Sequence, residues 1–320
     1  MERIADAWIT DKAVMVDGAN QPPFSNGFFF NNPEHLDQQT DGAIYRLSLQ
    51  NAISGLAEVR CAFMVQGEVA TSPIAAPFGS IEFTENVSPY ALGEFVDALV
   101  EKARLSRCRL LRLVSYPHCY APRHMHRLVY SLADRGFNII NNTPTFYLPV
   151  GYNSLLERMN AQERQRLRKS QRAGLVASHW ANPSIPIVLD FIQNSRLQLG
   201  YPLTISMDNL SRLLHQFPDQ FPVFVVREGQ KLAALCVCVR VRHDILYSFL
   251  PASSANYQEF SPMVMLVNHL YQYSQHEGIN VLDLGSSLDA NQQLKPSLAR
   301  FKQNMGAVPS PKLTFEIELE

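Results

Sequence analysis

At 320 residues the chain is long for one hydrophobic core and comfortable for two. Hydrophobic residues make up 46% and charged residues 18%, which excludes an intrinsically disordered chain. A formal charge of -1 excludes a global field that would draw the molecule onto nucleic acid or an anionic membrane, so any such contact has to be local.

The opening MERIADAWITDK is charged throughout and lacks an apolar centre, so it does not read as a signal peptide. No window approaches the ~18 apolar residues of a membrane span. The longest apolar run, Leu232 to Val239, leads into Arg240, Arg242 and His243. A cytoplasmic protein is the default expectation. The odd, sparse set of five cysteines points to reduced thiols.

The first ~40 residues are rich in turn signals (Asp17-Gly18, Pro22-Pro23, Asn26-Gly27, Asn31-Asn32-Pro33), with the apolar knot Phe28-Phe29-Phe30 among them. Strands are predicted at Ala43 to Leu49, Val59 to Gln66 and Ile81 to Thr84, the last two around a loop from Ser72 to Ser80. Tyr90 to Ala103 has helical spacing, with Leu92, Phe95, Val96 and Leu99 on one face. Cys108 to Val114 reads as a strand. Arg123 to Arg135 reads as a helix closed by Gly136, and Asn138 to Val150 as a strand.

An Arg-rich helix is predicted from Asn153 to Arg172, ended by Gly174, and a strand from Leu175 to Trp180. Helices follow at Ile185 to Leu199 and Met207 to Gln216. Three close strands come next: Val223 to Arg227, Lys231 to Val241 and Ile245 to Leu250. Glu228-Gly229 is the hairpin signal between the first two. The remaining elements are a helix at Ser261 to Glu277, a strand at Val281 to Leu284, a helix at Lys295 to Asn304 and a strand at Leu313 to Leu319. The order of elements is similar in the two halves, a weak sign of duplication. The boundary is placed near Val150 to Asn153.

Residues 221–307 hold an ordered set of features. A hairpin, Glu228-Gly229-Gln230-Lys231-Leu232-Ala233-Ala234, is followed by a strand containing Leu246-Tyr247-Ser248. The loop Ser254 to Pro262 leads into the helix Met263 to His276. Gly278 turns the chain into Asn280-Val281-Leu282-Asp283-Leu284-Gly285, and Phe301-Lys302-Gln303-Asn304-Met305-Gly306 closes the set. This set, with the Arg-rich helix and Ala173-Gly174-Leu175-Val176 before it, resembles the Fem-like and cellulose-biosynthesis-type branch of the GNAT acyltransferases.

The resemblance implies an α/β fold with a mixed, α+β type sheet, in two tandem GNAT-like domains. Residues 1–150 would be a non-catalytic domain and residues 151–320 the acyltransferase domain. It implies a cleft between two splayed strands, acyl-CoA as donor and no metal. The acceptor would be a small-molecule amine or a cell-envelope or polysaccharide precursor. Fem-like relatives instead take an aminoacyl group from tRNA, which gives an alternative donor. A GNAT-fold binding protein without catalysis is the third expectation. The chain departs from the family pattern in three respects. The loop Ala252 to Pro262 has no glycine, where the family's pyrophosphate loop is Gly-rich. The helix Lys295 to Asn304 has no Tyr to protonate a leaving thiolate, and residues 151–320 leave no room for a long helical arm.

Arg164, Arg168 and Arg172 recur at i, i+4 and i+8, with Arg166 and Lys169 beside them; they form either a phosphate-binding substrate face or a solvated one. No aromatic residues interleave, so nucleic acid is not an expected partner. Lys302, by its place in the resemblance, is linked to substrate or transition-state charge, as an oxyanion partner would be. Asp283, at a strand end, is either a general base or a cap. Tyr247 and Tyr257 are candidate acids or stacking partners, or both simply pack. Ser253, Ser254, Tyr257 and Ser261 are candidate donor-binding residues before a helix N-terminus. His118, His124 and His126 with Cys119 are a structural set or a metal site, and Cys236 and Cys238 are buried small side chains or half of one. No hydrolase, zincin, Walker or dinucleotide motif occurs.

Overall fold

The computed structural model describes residues 9–10, 13–40, 42–199, 205–289 and 293–320. The chain forms two compact units: residues 1–143 together with 311–320, and residues 144–310.

In the first unit, the sheet runs in the order β1 (Ile9–Thr10), β2 (Ala13–Asp17), β3 (Ile44–Asn51), β4 (Ala57–Gln66), β5 (Val69–Ser72), with β6 (Glu82–Phe83) pairing β4 and β7 (Leu110–Val114) lying parallel to β5. Helix α1 (Pro33–Leu36) is short, and α2 (Pro89–Leu105) and α3 (Pro122–Ala133) carry the helical packing. Ser88 caps α2 by accepting from the Ala91 N–H, and Leu92, Phe95, Val96, Leu99 and Ala103 form its buried stripe. The knot at Phe28-Phe29-Phe30 is buried; Phe28 packs on Phe78, Tyr116 and Tyr120 with ring centroids 4.8–5.7 Å apart. Among the described residues three strands lie outside the predicted set: Ile9–Thr10 and Ala13–Asp17, before or inside the turn-rich opening, and Val69–Ser72, too short to show a period.

In the second unit the sheet order is β8 (Asn138–Pro149), β13 (Val281–Ser286), β12 (Ile245–Ser253), β11 (Lys231–Arg242), β10 (Val223–Glu228) and β9 (Val176–His179). Its helices are α4 (Leu155–Arg158), α5 (Ala161–Arg172), α6 (Ile185–Leu199), α7 (Met207–Gln216), α8 (Pro262–His276) and α9 (Pro296–Asn304). The pairs β9–β10, β10–β11 and β11–β12 are antiparallel, whereas β12 and β13 are parallel, joined through α8. The near-continuous apolar run of β11 is buried on both faces, as a central strand requires. The last strand, β14 (Val308–Glu318), pairs antiparallel with β7 through residues 314–318, inside the first unit.

The single helix predicted at Asn153 to Arg172 is in fact α4 and α5. Met159 and Asn160 between them are extended, and the Asn160 side chain accepts from the Glu163 N–H at 2.9 Å. The gain at the break is burial of Met159 and a proper cap for the long helix. The predicted loop Ser254 to Pro262 contains a 3-10 helix at Ala255–Phe260. Among the described residues, no helix is long and apolar enough to cross a membrane.

Candidate functional site

The parallel ladder of β12 and β13 is short. It pairs Ile245 with Val281, Leu246 with Leu282 and Tyr247 with Asp283, and stops there, although β12 continues to Ser253. Gly285, at φ +73°, bends β13 at this point, and the Tyr247 ring lies against its backbone: a Cβ there would sit 3.1 Å from Tyr247 Cε2. On its other edge β13 also shifts register against β8 between Asp283 and Ser286. The strands therefore splay.

The splay opens a cavity of about 460 Å³. Ser248 and Pro251 to Ser253 of β12 form one wall, and Leu284 and Leu288 another. Pro262, Met263, Val264 and Val267, on the first turns of α8, and Leu298 and Phe301 of α9 complete an apolar lining. Four cationic side chains reach it: Arg166, Arg196, Lys295 and Lys302. Among the described residues that line it, none is acidic.

Asp283, Lys302 and Tyr247 come together at the ladder end. Lys302, 6% exposed, donates from Nζ to Gly285 O at 3.0 Å and Ser286 O at 2.6 Å. Burial lowers its pKa to about 8, with the Asp283 charge opposing the shift. Asp283, 2% exposed, accepts the Gly285 N–H on Oδ1 at 2.6 Å, which fixes the turn. Burial and then the Asp283 charge push the Tyr247 phenol well up, so it stays protonated at neutral pH. Gly306, the last residue of the Phe-Lys-x-x-x-Gly segment, has φ +92° and abuts Arg158; a Cβ there would lie 2.5 Å from Arg158 Cβ.

Ser253 and Ser261 line the cavity; Ser261 is left-handed (φ 53°) and does not cap α8 with its side chain. Ser254 caps the 3-10 helix through the Asn256 N–H, and the Tyr257 hydroxyl donates to Glu228 Oε2 at 2.8 Å. Arg164 donates to the carbonyls of Leu156 and Met159 at the α4–α5 break, at 3.2 and 2.7 Å. Arg168 and Arg172 are exposed. Arg166, two residues and about 200° from Arg164 around α5, is the member of the run that lines the cavity. Arg196, Lys295 and Ser195 are not among the candidates read from the sequence. Arg196 carries a usable signal, as the one basic residue of α6.

In the first unit, His118 Nε2 lies 3.3 Å from His126 Nε2, and His124 packs on Phe83. Cys236 and Cys238 are buried on one face of β11, their Sγ atoms 3.6 Å apart. Among the described residues no group of three or more His, Cys, Asp or Glu side chains is placed to hold a metal ion.

Residues 196–302 match the family model described as an acetyltransferase (GNAT) domain. That segment spans the splayed strands, α8 and most of α9. Among solved structures the chain is similar to FemX, at 13% identity and TM-score 0.70, over 92% of this chain and 93% of that one. It is similar to the C-terminal domain of a putative lysylphosphatidylglycerol synthetase from Agrobacterium fabrum, at 17% identity and TM-score 0.57, over 82% of each chain. A tandem GNAT protein from the clavulanic acid biosynthesis pathway aligns at 11% identity and TM-score 0.51, over 87% of this chain and 83% of that one. Of the curated proteins, none matches. The fold is thus mixed α/β, with GNAT-like architecture in tandem.

Proposed function

We propose that the second unit is an acyltransferase that moves an acyl group from acyl-CoA to an amine, with cell-envelope or polysaccharide precursors as the acceptor class. The observation that carries this reading is the opening between β12 and β13, lined by apolar side chains and ending at Lys302. A thioester carbonyl set at the ladder end would meet the third N–H of the Lys302 ammonium, whose other two are spent on Gly285 O and Ser286 O. The amine attacks the carbonyl carbon, the C–N bond forms, and Lys302 stabilises the oxyanion. The C–S bond then breaks. The amine gives its proton to solvent, and the thiolate takes one from Tyr247, which is re-protonated from solvent, so the transfer is proton-neutral. Asp283 positions the turn and, by its charge, keeps Lys302 protonated. Ser253 and Ser261 contact the donor; Ser254 and Tyr257 shape the 3-10 helix beside it.

Calorimetry with CoA and acetyl-CoA, followed by thiol release with a panel of amines, tests this. Binding is expected for the wild type. Lys302→Met is expected to cut kcat by about a hundredfold to a thousandfold with little change in donor affinity. No binding at millimolar CoA, together with no thiol release, would rule the reading out.

A second reading replaces the thioester with an aminoacyl ester of tRNA. The likeness to FemX, which extends over both units, favours it. Transfer from charged tRNA in the same assay, with none from acetyl-CoA, would select it.

A further inference from the structure

We infer that Arg166 and Arg196 form a diphosphate grip, made of side chains on two helices, that does the work of the glycine-rich loop this chain lacks; the inference rests on the acyl-CoA reading of the same cavity. The loop between β12 and α8 holds no glycine, so its backbone does not offer the close approach a phosphate needs. It is instead held between two helices. On one side α5 clasps the 3-10 helix Ala255–Phe260: Ser170 Oγ donates to Phe260 O, and Lys169 Nζ to Glu259 O at 2.7 Å. On the other side α6 holds the end of β12: Ser195 Oγ donates to Ser253 O at 2.9 Å and accepts the Ser253 N–H at 3.2 Å.

One turn before Ser170 stands Arg166, and next to Ser195 stands Arg196. Both line the cavity. Each is oriented by the protein. Arg166 donates to Glu163 Oε1 at 2.7 Å, and the Glu163 side chain is fully buried. Arg196 donates from Nη2 to Pro251 O at 3.3 Å. Guanidinium groups fixed in this way are suited to bidentate phosphate contacts.

Lys302 donates to Gly285 O, against whose backbone the Tyr247 ring lies, and Arg196 donates to Pro251 O, four residues along β12 from Tyr247, or roughly 13 Å at strand rise. Between them the wall is mostly apolar. That spacing fits a ligand with a diphosphate at one end, a long linear arm, and a reacting carbonyl at the other.

The test is calorimetry on Arg166→Gln, Arg196→Gln and the double variant, with CoA, inorganic pyrophosphate and pantetheine as probes. Arg166→Lys and Arg196→Lys are included to keep the charge but lose the fork, and thermal melting checks the fold. Each Gln variant is expected to lose about tenfold to a hundredfold in CoA affinity, from a charged hydrogen bond of ~1.5–3 kcal/mol. Pyrophosphate affinity should fall in parallel, pantetheine affinity should hold, and the salt dependence of CoA binding should flatten. If wild type binds CoA and the double variant binds it within twofold, the grip is wrong and the acyl-CoA reading stands. If wild type binds pyrophosphate but not CoA, and the variants lose it, the grip stands and the acyl-CoA reading falls. Wild type binding neither probe overturns the grip.

Discussion

Lys302 shows how one buried charge ties stability to chemistry. Its pKa falls from 10.5 to about 8 because burial penalises the ammonium more than the Asp283 charge supports it. Below about pH 8 both folded and unfolded chains carry the proton, and the burial cost is present in full. Between about 8 and 10.5 the unfolded chain binds more protons than the folded one, so stability rises with pH. The shift sets an upper bound of about 3 kcal/mol on the gain. Urea denaturation at several pH values in this window, for wild type and Lys302→Met, is expected to show wild type gaining on the variant as pH rises. A difference that stays flat would mean that Lys302 titrates as an exposed lysine does. Activity should run the other way. The ammonium that holds the oxyanion is lost as pH rises through about 8, which gives kcat a falling limb that Lys302→Met lacks.

At the scale of elements, the decisive feature is where β13 leaves β12. Gly285 makes that departure with φ +73° and with the Tyr247 ring against its backbone. Gly278, which ends α8 with φ +67°, has nothing within 4 Å of where a Cβ would sit. Alanine at either position should cost about 1–2 kcal/mol for the left-handed backbone. Only Gly285→Ala also displaces Tyr247, so only it should weaken CoA binding. Equal effects of the two variants on affinity, measured beside their melting temperatures, would detach the turn from the site. The Asp-Leu-Gly and Phe-Lys-x-x-x-Gly segments were legible because each glycine answers a local need for positive φ and close approach. Long periodic elements, such as α2 and β11, were legible from apolar spacing. The α4–α5 break was not, since Met159 leaves the helix to bury its side chain and Asn160 to cap α5. Arg166 stood out in the sequence only as a flank of the arginine run, for a related reason. The i, i+4, i+8 pattern draws attention to the face of Arg164, Arg168 and Arg172, while Arg166 stands beside the buried face of Glu163, Leu167 and Ser170, which reads as mixed.

For the molecule as a whole, the chain order and the spatial units do not coincide. Residues 311–320 follow the whole second unit in sequence yet belong to the first. Their part there is structural: Thr314 to Glu318 pair with Val114 to Leu110 of β7, and Phe315 is 1% exposed. Arg112 also meets Glu316 at 2.6 Å. A chain ending at Ser310 would keep every residue that lines the cavity and lose this strand. The first unit would then expose one edge of β7 and forfeit a buried Phe, a loss of about 3–5 kcal/mol by analogy with core Phe truncations. That is a large share of a domain's stability. Hydrogen exchange is the discriminating measurement. In residues 1–310, the amides of Leu111 and Leu113 are expected to lose protection by at least a hundredfold, while those of Val237 and Val239 in β11 change little. Equal loss in both strands would mean that the two units unfold as one, and that the boundary drawn from compactness has no energetic counterpart.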